Sequence, residues 1–103
     1  MVKFIESELV LLKKEIDEMW TLVYSQLDRA GEAVLTLDKE LAQQVIVRER
    51  RVNAFELKID SDVEDVIALY NPVAIDLRFV LAMLKINTNL ERLGDFAEGI
   101  ARF

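Results

Sequence analysis

The chain has no cysteine, no histidine, one proline and three glycines in 103 residues. Each shortage removes a class of answer. Without cysteine there is no disulfide and no thiolate zinc site, and without histidine there is no imidazole base or imidazole ligand. Any metal ion must therefore be held through oxygen. So few glycines and prolines leave a β-rich fold short of turn residues, whereas long helices need almost none. Positive charge is also thin. The formal net charge is −6 and the densest basic stretch is Arg48-Glu49-Arg50-Arg51, too little to neutralise nucleic-acid phosphates. The longest purely apolar run, Phe79 to Leu84, falls far short of the ~20 residues that cross a bilayer. The opening Met1-Val2-Lys3-Phe4-Ile5-Glu6 becomes charged at once and lacks the apolar region of a signal peptide. With no cysteine, these features fit a cytoplasmic protein without membrane insertion.

What is present is helix. Hydrophobic residues make up 52% and charged residues 31%, the balance of a folded chain. Length predicts one domain over 1–103 with a modest core, a size at which oligomerisation often adds stability. Ile5, Leu9, Leu12, Ile16, Met19, Val23, Leu27, Ala30 and Val34 recur at intervals of three and four, predicting a helix over about 3–35. Gly31 falls inside it as a weak spot of roughly 1 kcal/mol. Thr36 or Asp38 can cap the next helix. Its seam runs Leu41, Val45, Arg48, Val52, Phe55, Ile59, Val63, Val66 and Leu69, predicting helix over about 38–70. Asn71-Pro72 reads as cap and first position of a third helix reaching about 103. Its apolar stripe is Ile75, Phe79, Ala82, Ile86, Leu90, Leu93, Ala97 and Ile100. Three helices of about 45–50 Å joined by short connections predict an all-α, up-down-up antiparallel three-helix bundle.

The third helix carries an acidic ridge. At 100° per residue, Asp76, Asn87, Glu91, Asp95 and Glu98 share about a third of the circumference, beside the apolar stripe and not opposite it. Glu91 and Asp95 stand one turn apart and repel by a few tenths of a kcal/mol in an isolated helix. Burying either without a partner costs several kcal/mol. A divalent cation, an arginine or water must meet that demand. Oxygen ligands suit magnesium, calcium or manganese, and carboxylates also hold iron and zinc. Glu49, Asn53 and Glu56 form a second polar line on the second helix, at the level of Glu91 and Asp95 if the two helices are antiparallel. The plainer account is a solvated face balanced by Lys85, Arg92 and Arg102.

The full phrase shifts that balance. Pro72, then Asp76-Leu77-Arg78, then Leu90-Glu91-Arg92-Leu93-Gly94-Asp95 resembles the signature of the PhoU family of phosphate-signalling regulators, and Asp38-Lys39-Glu40-Leu41-Ala42 resembles the family's start of the second helix. The resemblance covers essentially the whole chain. It implies a repeated three-helix fold whose Glu/Asp-x-x-x-Asp motifs hold metal ions. By that resemblance Glu91 and Asp95 lead as ligands of a divalent or iron-type metal ion, with Asp76 and Glu49 as further candidates. Arg78 and Arg92 become candidates for meeting a partner. Two departures stand out. Family members carry two such repeats and this chain has one, either as a natural single-repeat member that dimerises or as part of something larger. Where the family favours two aspartates four residues apart, this chain has Glu49 and Asn53, which argues for a single ion over a cluster.

The resemblance implies a non-catalytic regulator of phosphate uptake and phosphate-starvation signalling, contacting a phosphate ABC transporter ATPase and a sensor histidine kinase. A metal-free dimerisation module, or the cytosolic PhoU-like domain of a sodium–phosphate cotransporter, is the alternative. A carboxylate-bridged metalloenzyme lacks its Glu-x-x-His motif here. Trp20, Tyr24, Phe96 and Phe103 fall off the seams, and several such residues together point to a homodimer interface.

Overall fold

The computed structural model describes residues 2–103, with side chains from residue 5 onward; the side chains of the charged opening up to Phe4 lie outside that description. Three helices, α1 (Val2–Thr36), α2 (Lys39–Tyr70) and α3 (Ala74–Arg102), pack each against the other two as an all-α three-helix bundle. The molecule measures 54 × 18 × 16 Å. Its long dimension is that of one helix, because 35 residues at ~1.5 Å rise span about 52 Å. Connections of two and three residues leave no path for a return strand, so neighbours run antiparallel. Among the described residues no helix is long and apolar enough to cross a membrane.

Both connections use left-handed backbone. At the end of α1, Leu37 takes φ 55 and the Asp38 amide donates to the Ala33 carbonyl at 3.0 Å, a Schellman closure. Asp38 then serves α2: its carboxylate accepts the Leu41 amide at 3.1 Å as the N-cap. The second connection corrects the sequence reading. Asn71 does not cap α3; it closes α2 in left-handed conformation, φ 46 and ψ 57, donating its amide to the Ile67 carbonyl. Asparagine tolerates this conformation better than other non-glycine residues, and Pro72 after it cannot continue a helix. Pro72 is buried, and α3 starts at Ala74 after an extended Val73 with no side-chain cap.

The core follows the predicted seams of α1 and α2. Leu12, Ile16, Met19 and Val23 meet Val52, Ile59, Val63 and Val66. Val34 and Leu69, at the ends of those seams, are exposed. On α3 the seam is turned. The buried residues are Val80, Met83, Asn87, Leu90, Gly94 and Ala97, while Ile75, Ala82, Leu93 and Ile100 of the expected stripe face outward. Hydrophobic periodicity misses this face because two of its members, Asn87 and Gly94, carry no apolar side chain. Asn87 is tolerated there because its Nδ2 donates to the Glu56 carbonyl at 3.0 Å and to Asp60 Oδ1 at 3.1 Å. Gln26 does the same between α1 and α2, donating to the Val45 carbonyl at 2.7 Å. Near the middle of the bundle Lys58 bridges Glu15 of α1, at 3.0 Å, and Asp62, at 2.8 Å.

Two substitutions test this local account by chemical denaturation. Asp38→Ala is expected to cost about 1 kcal/mol through the lost cap. Gly31→Ala is expected to gain up to about 1 kcal/mol, because a Cβ there meets nothing within 4 Å.

Candidate metal centre

Glu49, on the third turn of α2, points into the seam with α3 and is 3% exposed. Among the described residues no hydrogen-bond donor reaches either of its carboxylate oxygens. It fits because Gly94 stands opposite. A Cβ built on Gly94 would lie 2.8 Å from Val52 Cγ1 and 3.3 Å from both Glu49 oxygens. Beside that gap α3 presents half-buried Glu91, about one turn before Gly94, and exposed Asp95, the residue after it. One carboxylate oxygen from each of Glu49, Glu91 and Asp95 lies within 4.8 Å of the others. Among the described residues none of the three forms an ion pair.

The electrostatics record the crowding. Burial, followed by the charges of Asp95, Glu98 and Glu91, pushes the Glu49 carboxyl up to about 7. Glu91 is raised by burial and then by Asp95 and Glu56, with Arg92 opposing. Glu56, one turn beyond exposed Asn53, is raised by burial, Asp60 and Asp95. Glu98 is held by Arg102 at 3.2 Å. Three oxygens from two adjacent helices, with one carboxylate sealed from water, suit a cation. Ligands at about 2.0–2.6 Å from a common hard ion lie within ~5 Å of one another, which is the spacing seen here.

The sequence-predicted residues divide. Glu49, Glu91 and Asp95 come together. Asp76 does not: it precedes Glu91 by fifteen residues on the same helix, about 22 Å along the axis, and cannot share an ion with it. Asn53 is exposed and outside the cluster. Arg78 is exposed near the opposite end of the bundle, and Arg92 is exposed beside Asp95. The residue whose role sequence reasoning missed is Gly94. Its signal was a glycine inside a strong helix, seven residues after Asn87 and fourteen after Val80 on the buried face.

The PhoU domain family model matches residues 16–103. This chain belongs to the PhoU family. It is 44% identical over 84 residues to a phosphate-specific transport system accessory protein PhoU homolog from Burkholderia sp, covering 82% of this chain and 36% of that protein. It is 34% identical over 96 residues to PhoU homolog 1 of Thermotoga maritima, covering 93% of this chain and 41% of the relative. Against PhoU of Serratia marcescens the identity is 40% over 96 residues, with 93% and 40% covered. The chain thus spans about two-fifths of the length of these relatives. No solved structure matches it.

Gly94→Ala is expected to destabilise the protein by about 1–3 kcal/mol through overpacking against Val52 and Glu49, the opposite sign to Gly31→Ala; urea melts of the pair decide it. Because folding raises the Glu49 pKa to about 7 from the ordinary 4.5, the folded chain holds that proton more tightly. This group's contribution is therefore most favourable below about pH 4.5 and is lost as pH rises through 7. Metal-free protein is expected to lose on the order of 2–3 kcal/mol of stability between pH 5 and 8 from this source. Glu49→Gln should flatten the dependence and raise stability at pH 8.

Proposed function

We propose that this protein is a non-catalytic, cytoplasmic regulator of phosphate uptake and phosphate-starvation signalling, acting through protein contacts and holding a divalent or iron-type metal ion with Glu49, Glu91 and Asp95. The observation that carries the metal reading is Glu49: a carboxylate in the α2–α3 seam with no donor, opposite a glycine and beside two more carboxylates. A bound cation turns their mutual repulsion into attraction and supplies the missing partner. The regulatory reading draws on membership of a family whose relatives are named as accessory proteins of a phosphate-specific transport system. Its partners would be the transporter's ATPase and a sensor histidine kinase, with Arg78 and Arg92 as exposed cations for an acidic surface. A homodimer suits the large apolar side chains left exposed on the bundle, among them Trp20, Tyr24, Phe96 and Phe103.

The ion claim is tested by thermal unfolding with manganese, magnesium, zinc and ferrous iron. Saturation at a hundred times the dissociation constant adds about 2.7 kcal/mol, and Glu91→Ala with Asp95→Ala should abolish the gain. If no ion moves the midpoint, the metal-free dimerisation module replaces this reading. The regulatory claim is tested in a bacterium lacking its own PhoU protein: expression should lower a phosphate-starvation reporter in phosphate-rich medium.

A further inference from the structure

The solvent face of α3 carries three cations in a line. Arg78, Lys85 and Arg92 stand seven residues apart, so at 100° per residue they fall within about 40° of one another. Each comes two residues before a buried one, Val80, Asn87 and Gly94, and so faces the opposite way; all three are exposed. No acid interrupts the line: residues 77–90 form the longest acid-free stretch in a chain with 19 aspartates and glutamates. Among the described residues none of these cations forms an ion pair, whereas Lys58 and Arg102 do. Arg92 moderates Glu91 without pairing with it. Leu81, 48% exposed, and Ala82 occupy the turn between Arg78 and Lys85, and Thr88 and Asn89 occupy the next.

We propose that this ridge docks a helix of a partner protein that carries acids at seven-residue intervals. The spacing selects the element. Along α3 the cations recur about every 10.5 Å. A helix lying alongside at a shallow angle repeats its own surface at the same step and keeps register with all three. On a strand, residues of one face recur about every 6.8 Å, so its acids fall out of step with the cations. Leu81 and Ala82 give such a helix an apolar contact between the first two ion pairs. Charge disfavours two other occupants. Adsorption to an anionic bilayer takes roughly four to eight clustered cations, and here three stand in a line on a molecule of net charge −6. A second copy lacks the counterpart, because no three acids of this chain follow one another at seven-residue steps.

This inference rests on the partner reading of Arg78 and Arg92, adds Lys85 to it and names what the surface takes. The probes are two fluorescent helical peptides of about 25 residues and identical composition. One carries three glutamates seven residues apart, the other the same glutamates five apart. Anisotropy at low salt, with the full chain and chelator present, should show the heptad peptide binding about five- to tenfold tighter, two further ion pairs being aligned at once. Added salt should weaken it. Arg78→Ala, Lys85→Ala and Arg92→Ala should each cost about two- to fivefold, the range of exposed ion pairs, with unchanged helical content by circular dichroism. Arg51→Ala on α2 should cost nothing. Equal binding of the two peptides, or alanine variants that bind like the parent, overturns the helix-docking ridge. So does binding to phosphatidylglycerol vesicles that the alanines abolish, without any peptide preference, which assigns the ridge to a membrane. The triple alanine variant in the phosphate-starvation reporter strain separates the two readings. If the peptides fail but the triple variant still loses repression, the contact through the arginines stands and the helix is wrong. Undiminished repression overturns both.

Discussion

A glutamate is carried into the seam between two helices because a glycine stands across from it, and much of this molecule is arranged around that fact. Gly94 lets α2 and α3 approach closely enough for Val52 and Glu49 to fill the space where a side chain would sit. The same approach brings the flanking turns of α3, with Glu91 and Asp95, to the Glu49 carboxylate. Close packing and accumulation of like charge are two results of one contact. Hydrophobic burial on either side of the site, at Val52, Leu90 and Ala97, holds the helices against the repulsion that the acids generate.

The bundle treats its two acidic junctions differently. Between α1 and α2, Glu15 and Asp62 are served by Lys58, which lies 3.0 and 2.8 Å from them. Most of the Lys58 side chain is exposed, so these pairs contribute little to stability, but the junction has a cation of its own. Between α2 and α3, none of the described residues brings such a cation to Glu49. Arg92 moderates Glu91 from outside and Arg102 is occupied by Glu98. One junction is closed by the protein's own side chain; the other is left open to whatever positive charge the surroundings provide.

Most of the architecture could be read from the residues. The seams of α1 and α2 are, apart from Arg48, apolar side chains at three- and four-residue intervals, and all but the exposed ends Val34 and Leu69 are buried or half-buried. The α3 seam was misplaced because a polar and a null side chain, Asn87 and Gly94, occupy its centre. Asn87 is buried at the level of hydrogen bonding to Glu56 and Asp60, which lie about thirty residues away in the chain. No local pattern reports such partners. The same blindness applied to Asn71, whose position before proline has two meanings, an N-cap or a left-handed C-cap; the backbone chose the second. For the site, Glu91 and Asp95 were legible as a one-turn pair, and Glu49 as a polar interruption near their level. That the two lines face each other depends on helix rotation, which Gly94 sets.

The connections are short enough to have a mechanical meaning. Leu37 and Asp38 join α1 to α2 with a hydrogen bond on each side, and three residues join α2 to α3. Such joints hold no slack. A three-residue joint leaves α3 little freedom to slide along α2, so the level at which Glu49 meets Glu91 and Asp95 is set at the turn.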